Sequence, residues 1–90
     1  MKVIKFSAPW CGPCKVYAET FKKIQVCEEF KNDDFLEINV EEDDDALTDK
    51  YSIKSVPTTI VLNENSEVKK IVGAISFDSL KKQLLEIKNN

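Results

Sequence analysis

The string Trp10-Cys11-Gly12-Pro13-Cys14-Lys15 constrains this chain more than any other stretch. It lies between an apolar run and a helical pattern, and its two cysteines stand about one helical turn apart. That spacing puts side chains on one helix face about 5–6 Å from each other, within the separation a disulfide tolerates. The pair can therefore open and close with little backbone movement. If Cys11 caps the helix, its sulfur faces the positive end of the dipole and unpaired N–H groups, which favour thiolate. Pro13 suits a first helical turn, where its missing N–H costs nothing, and Lys15 adds a positive charge nearby.

The rest of the chain alternates strand and helix signals. Residues 2–6 form an apolar run of strand type, with Lys5 as its odd member, ended by Ser7-Ala8-Pro9. Val16, Tyr17, Phe21, Ile24, Cys27 and Phe30 recur at helical spacing and predict one long helix over 12–31. Asn32-Asp33-Asp34 signals a turn, and residues 35–40 a second strand. The acidic run 41–45 reads as a solvated face leading into a short helix near 43–51. Residues 58–62 and 67–72 read as strands joined by a four-residue loop, hence an antiparallel hairpin. Ser76 is placed to cap a last helix over 77–88, with Leu80, Leu84, Leu85 and Ile87 as its apolar stripe. The order is βαβαββα: a parallel crossover plus a hairpin, giving a four-stranded mixed sheet flanked by three helices.

Length and charge narrow the classes of function. Ninety residues make one domain, 1–90, with a modest core. A net charge of −3 argues against nucleic acid as a main partner, since no basic surplus is available to displace counterions. No apolar run approaches the ~18 residues of a membrane span, and residues 1–6 are too short for a secretory leader. The expectation is a cytoplasmic, reducing location, where cysteines point to catalysis or metal rather than a structural framework. A closed zinc site draws on Cys and His; with no His and only Cys27 to spare, no metal is expected. Cys27 itself reads as a small core residue, with a regulatory thiol as the alternative.

Trp10-Cys11-Gly12-Pro13-Cys14 between a strand and a helix, then Val56-Pro57-Thr58, then a hairpin ending in Val72-Gly73-Ala74, together resemble the thioredoxin superfamily over nearly the whole chain. The resemblance implies a minimal thioredoxin fold of glutaredoxin-like size, beginning at the strand before the cysteines and without the extra strand and helix of longer members. It implies that Pro57 is cis and faces the cysteine pair, and that the backbone of Val56 pairs with a bound substrate strand. Gly73 would leave room for that strand, with Trp10 as the other rim and Gly12 and Pro13 beside the pair. Glutaredoxins more usually carry a tyrosine in place of Gly12.

Two departures stand out. Thioredoxins usually bury an Asp where this chain has Lys5, and the Lys usual on the next strand aligns with Glu37. A buried lysine needs a partner, so Lys5 and Glu37 are expected to form a reversed ion pair; the alternative is a Lys5 that snorkels to solvent beside an exposed Glu37. The family's Asp helps deprotonate the second cysteine. Either Glu37 takes that part here, or Lys5 favours the Cys14 thiolate. The second departure is Glu19, where a helix-kinking proline is common, so the helix is expected to be straighter.

The implied activity is reduction of protein disulfides. Cys11 thiolate attacks a substrate disulfide, and Cys14, one turn in and more buried, resolves the mixed disulfide. No cofactor is needed beyond the dithiol. The implied partners are disulfide-containing proteins and a flavoenzyme of thioredoxin-reductase type, acting on a monomer. Three other readings remain: a dedicated electron donor of glutaredoxin type, for example to a ribonucleotide reductase; an oxidase or isomerase, should Lys5 make the pair more oxidising; and a binding module that uses the groove with redox incidental.

Overall fold

Why Lys5 can sit in an apolar strand becomes clear from the sheet. In the computed structural model, which describes residues 1–89, four strands run β1 (Lys2–Ser7), β2 (Asp34–Asn39), β3 (Thr58–Asn63) and β4 (Ser66–Val72). The helices are α1 (Gly12–Gln25), α2 (Leu47–Lys50) and α3 (Phe77–Lys88). The sheet order is β2-β1-β3-β4. β1 and β2 are parallel, joined through α1; β3 runs antiparallel to both β1 and β4. β1 is thus central and covered on both faces, so its alternate side chains enter two cores. Val3 packs with Tyr17, Phe21, Ile24, Leu80 and Leu84 under α1 and α3. Ile4 and Phe6 pack with Ile60 and Leu62 on the opposite face, near Leu47, Tyr51 and Ile53. Lys5 shares the face of Val3, and its Nζ lies 5.2 Å from the Phe21 ring centroid.

Three sequence expectations need correction. The helix predicted over 12–31 ends at Gln25. Val26 is exposed and Cys27 is extended (φ −68°, ψ 136°), and a 3₁₀ turn at Glu28–Phe30 follows. The Cys27 N–H donates to the Ile24 carbonyl, and the Phe30 N–H to that of Cys27. This break still delivers Phe30 to the core, where it packs against Phe35. The helix predicted near 43–51 is only Leu47–Lys50, preceded by a 3₁₀ turn at Val40–Glu42 that shortens β2 to Asn39. The Asp43 carboxylate accepts from the Thr48 N–H, and its proximity to the Thr48 side chain and backbone holds its pKa below the usual carboxylate value. The hairpin loop has two residues, not four: Asn63 pairs with Ser66, and Glu64 and Asn65 both take positive φ (54° and 69°). That backbone matches the twist of the strands it joins.

One smaller expectation holds. Ser76 caps α3 by accepting from the Ser79 N–H at 3.1 Å. α1 runs unbroken through Glu19, which pairs with Lys22 on the exposed face. Among the described residues, no helix is long and apolar enough to cross a membrane.

Tyr17 ties α1 to the centre of the sheet. Its Oη lies 2.6 Å from Thr59 Oγ1, and both residues are buried. Burial raises the phenol pKa above 10.0, and the Thr59 hydrogen bond only partly offsets this. The folded state therefore keeps a proton that the unfolded chain has lost. Stability is complete below the unfolded pKa and falls as pH climbs from about 10 towards the folded value. Tyr17→Phe should flatten that alkaline decline at a cost of about 0.5–1.5 kcal/mol near neutrality. Urea midpoints at about pH 8 and about pH 11 for both proteins test this; equal declines would exclude Tyr17 as the cause.

Candidate active site

Cys11 is the N-cap residue of α1, with φ −88° and ψ 107°. Its Sγ accepts a hydrogen bond from the Cys14 N–H at 3.2 Å. Gly12 and Pro13 form the first helical positions, where no backbone N–H has an intrahelical partner to lose. The two cysteines are joined as a disulfide, with Cα atoms 5.3 Å apart. The capping bond and the helix dipole both place positive charge at Cys11 Sγ, which stabilises a thiolate there once the bond is reduced.

The loop before β3 closes over the pair. The Val56–Pro57 peptide is cis, and Cys11 Sγ lies 3.6 Å from the Val56 carbonyl oxygen. The Pro57 carbonyl accepts from the Gly73 N–H at 2.8 Å, which pins the end of β4 beside this loop. Gly73 has φ +91°, a conformation that favours glycine, and a Cβ there would project into open space. Trp10 is 69% exposed, and its Nε1–H donates to the Glu41 carboxylate at 3.0 Å. With Val40, Ile53 and Val56 it lines a largely apolar cavity of about 160 Å³. All the residues predicted around the cysteines are therefore gathered at one end of the sheet.

Accessibility does not separate the two cysteines, contrary to the expectation that Cys14 is the more buried: each is 4% exposed. What differs is what they face. Cys11 faces the Val56 loop. Cys14 lines a second cavity, of about 260 Å³, whose polar wall comprises Lys5, Ser7, Lys15, Glu37 and Asn39.

That wall contains the reversed ion pair. Lys5 and Glu37 are register partners on the parallel strands β1 and β2. Lys5 Nζ lies 3.1 Å from Glu37 Oε2, and the Ser7 hydroxyl donates to Glu37 Oε1 at 3.4 Å. The two charges stand in different media: the Lys5 side chain is 1% exposed and that of Glu37 59%. Cys27, by contrast, lies away from the pair, half-buried against the α1–α3 core, with its thiol directed to the Lys23 carbonyl. Sequence reasoning missed Glu41 as the partner of Trp10; nothing in an acidic run marks which member reaches the indole across the surface.

A family model described as Thioredoxin matches residues 1–86. The chain belongs to the thioredoxin family. Among its relatives, a thioredoxin of Aspergillus fumigatus is 35% identical over 72 residues, covering 80% of this chain and 64% of that protein. A Mycoplasma genitalium thioredoxin is 32% identical over 88 residues, covering 98% and 79%. The solved thioredoxin of Nicotiana alata superposes with a TM-score of 0.83 at 30% identity, over 94% of this chain and 70% of that one. Thioredoxins are thiol–disulfide oxidoreductases that act on protein disulfides through a dithiol, and this chain carries the Cys11–Cys14 disulfide where that chemistry requires it. Among the described residues, no group of His, Cys, Asp or Glu is arranged to hold a metal ion.

Proposed function

We propose that this thioredoxin-family chain is a protein-disulfide reductase. The observation that carries the reading is the Cys11 sulfur at the helix N-terminus, accepting the Cys14 N–H and facing the Val56 carbonyl. Cys11 thiolate forms a bond to one sulfur of the substrate disulfide, and the other sulfur leaves as thiolate and is protonated. Cys14 then loses its proton and attacks Cys11; the Cys11–Cys14 bond forms as the mixed disulfide breaks. Two electrons and two protons pass to the substrate, and the protein ends oxidised. Val56, Pro57, Gly73 and Trp10 form the surface on which the substrate strand lies, with the backbone of Val56 as its pairing edge. The protein works as a monomer in a reducing cytoplasm and is recharged by a flavoenzyme of thioredoxin-reductase type.

The test is equilibration of the pair in glutathione redox buffers. Known thioredoxins sit near about −270 mV, and a value between about −230 and −280 mV is expected here. A value between about −120 and −200 mV would place the protein with oxidants and isomerases and overturn the reading.

A further inference from the structure

We infer that Lys5 is a positioning residue for the second half of the reaction: its buried ammonium holds the cavity beside Cys14 at positive potential and so favours the Cys14 thiolate. The inference rests on the disulfide-reductase reading and adds to it the residue that prepares Cys14 for attack.

The charges around the cavity can be counted. Lys5 enters from β1, Glu37 from β2 and Lys15 from α1, and no other ionisable side chain except Cys14 lines it. Ser7 and Asn39 contribute neutral polar groups. At contact distance the Lys5–Glu37 pair cancels only if both charges stand in the same medium. Glu37 stands mostly in water, which screens its field, whereas Lys5 is enclosed by strand and core. The Phe21 ring faces the ammonium from the core side at 5.2 Å, so its field is not dissipated there by solvent. The remaining open side is the cavity, where Cys14 is the one group besides the solvent-screened Glu37 carboxylate able to become an anion. Glu37 also accepts from Ser7, which fixes the carboxylate at the mouth and the ammonium behind it.

The chemical consequence concerns one step. In the mixed disulfide, Cys14 must release its proton to water at the cavity before its sulfur attacks that of Cys11. As the new S–S bond forms, the substrate sulfur departs with the electron pair and is protonated from solvent. A cation facing Cys14 raises the thiolate fraction and speeds this release. It leaves the first attack, by Cys11 at the helix N-terminus, largely to the helix dipole.

Titration of the reduced protein, labelled with ¹³C at cysteine Cβ, reads Cys14 ionisation directly and separately from turnover. Lys5→Met should lower the Cys14 thiolate fraction at neutral pH by roughly tenfold, the scale of one charge acting at an effective dielectric of about 20. Lys5→Arg should keep it. Glu37→Gln, which leaves the ammonium in place without its counter-charge, should raise it, and this arm stands even if Lys5→Met fails to fold. An unmoved Cys14 titration in folded Lys5→Met, or an unmoved or lowered thiolate fraction in Glu37→Gln, overturns the inference. Loss of disulfide reduction by the unaltered protein would instead overturn the reductase reading, whatever the titration shows.

Discussion

Cys14→Ser is expected to stop turnover and to trap substrate on the protein. Cys11 would still be the N-cap residue, still accept the backbone N–H of residue 14, and still face the Val56 carbonyl. The first attack therefore survives the change. The second does not, because a serine hydroxyl at neutral pH is not ionised and forms no disulfide. The mixed disulfide persists until external thiol removes it. On incubation with a disulfide-containing protein, non-reducing electrophoresis should show a one-to-one adduct that dithiothreitol dissolves, while reduction of the substrate drops to background, a loss of at least about a thousandfold. Cys11→Ser should give no adduct and the same loss. An adduct in Cys11→Ser, carried by Cys27, would show that the half-buried thiol competes for substrate. Continued turnover by Cys14→Ser would mean that resolution comes from outside the chain and would remove Cys14 from the mechanism.

What the sequence reveals of this site follows from how local each constraint is. The cysteine pair, Pro13 and the following helix lie within one stretch, so the cap could be read directly. The Lys5–Glu37 pairing was legible through the family resemblance, because these two positions align with the family's Asp and Lys and carry the charges in reverse order, and a buried lysine needs a partner; the structure sets them as register partners on β1 and β2. The end of α1 was hidden because no Gly or Pro marks it; helical spacing continues through Phe30, which reaches the core by a 3₁₀ turn instead. The tight hairpin was hidden because Glu64-Asn65 lacks the Asn-Gly or Asp-Gly signature that usually signals positive φ at both positions. The equal burial of Cys11 and Cys14 depends on the Val56 loop folding back from far along the chain, a tertiary fact that no local pattern encodes.

Phe21→Ala should be the most destabilising single change at the base of the site. Phe21 is buried where α1 meets the sheet, with its ring edge-to-face against Phe35 at 5.5 Å and tilted against Tyr17 at 6.4 Å. Truncating a core Phe costs about 3–5 kcal/mol through lost transfer energy and a residual cavity. At about 0.05–0.15 kcal/mol per residue, a domain of this length is stable by roughly 5–13 kcal/mol, so the change removes a large share of the total. The midpoint of thermal unfolding should fall by roughly 12–30 °C. Phe21→Leu keeps most of the volume but loses the aromatic contacts and the face offered to Lys5, and should cost about 1–2 kcal/mol. Part of that cost belongs to the ammonium, because a buried charge that loses one of its neighbours is less well compensated. In a double-mutant cycle with Lys5→Met, Phe21→Leu should therefore cost less than it does alone, by about 0.5–1 kcal/mol. Urea unfolding of the four oxidised proteins measures this. Strict additivity would mean that the ring packs near Lys5 without stabilising its charge, and the field at Cys14 would then owe nothing to Phe21.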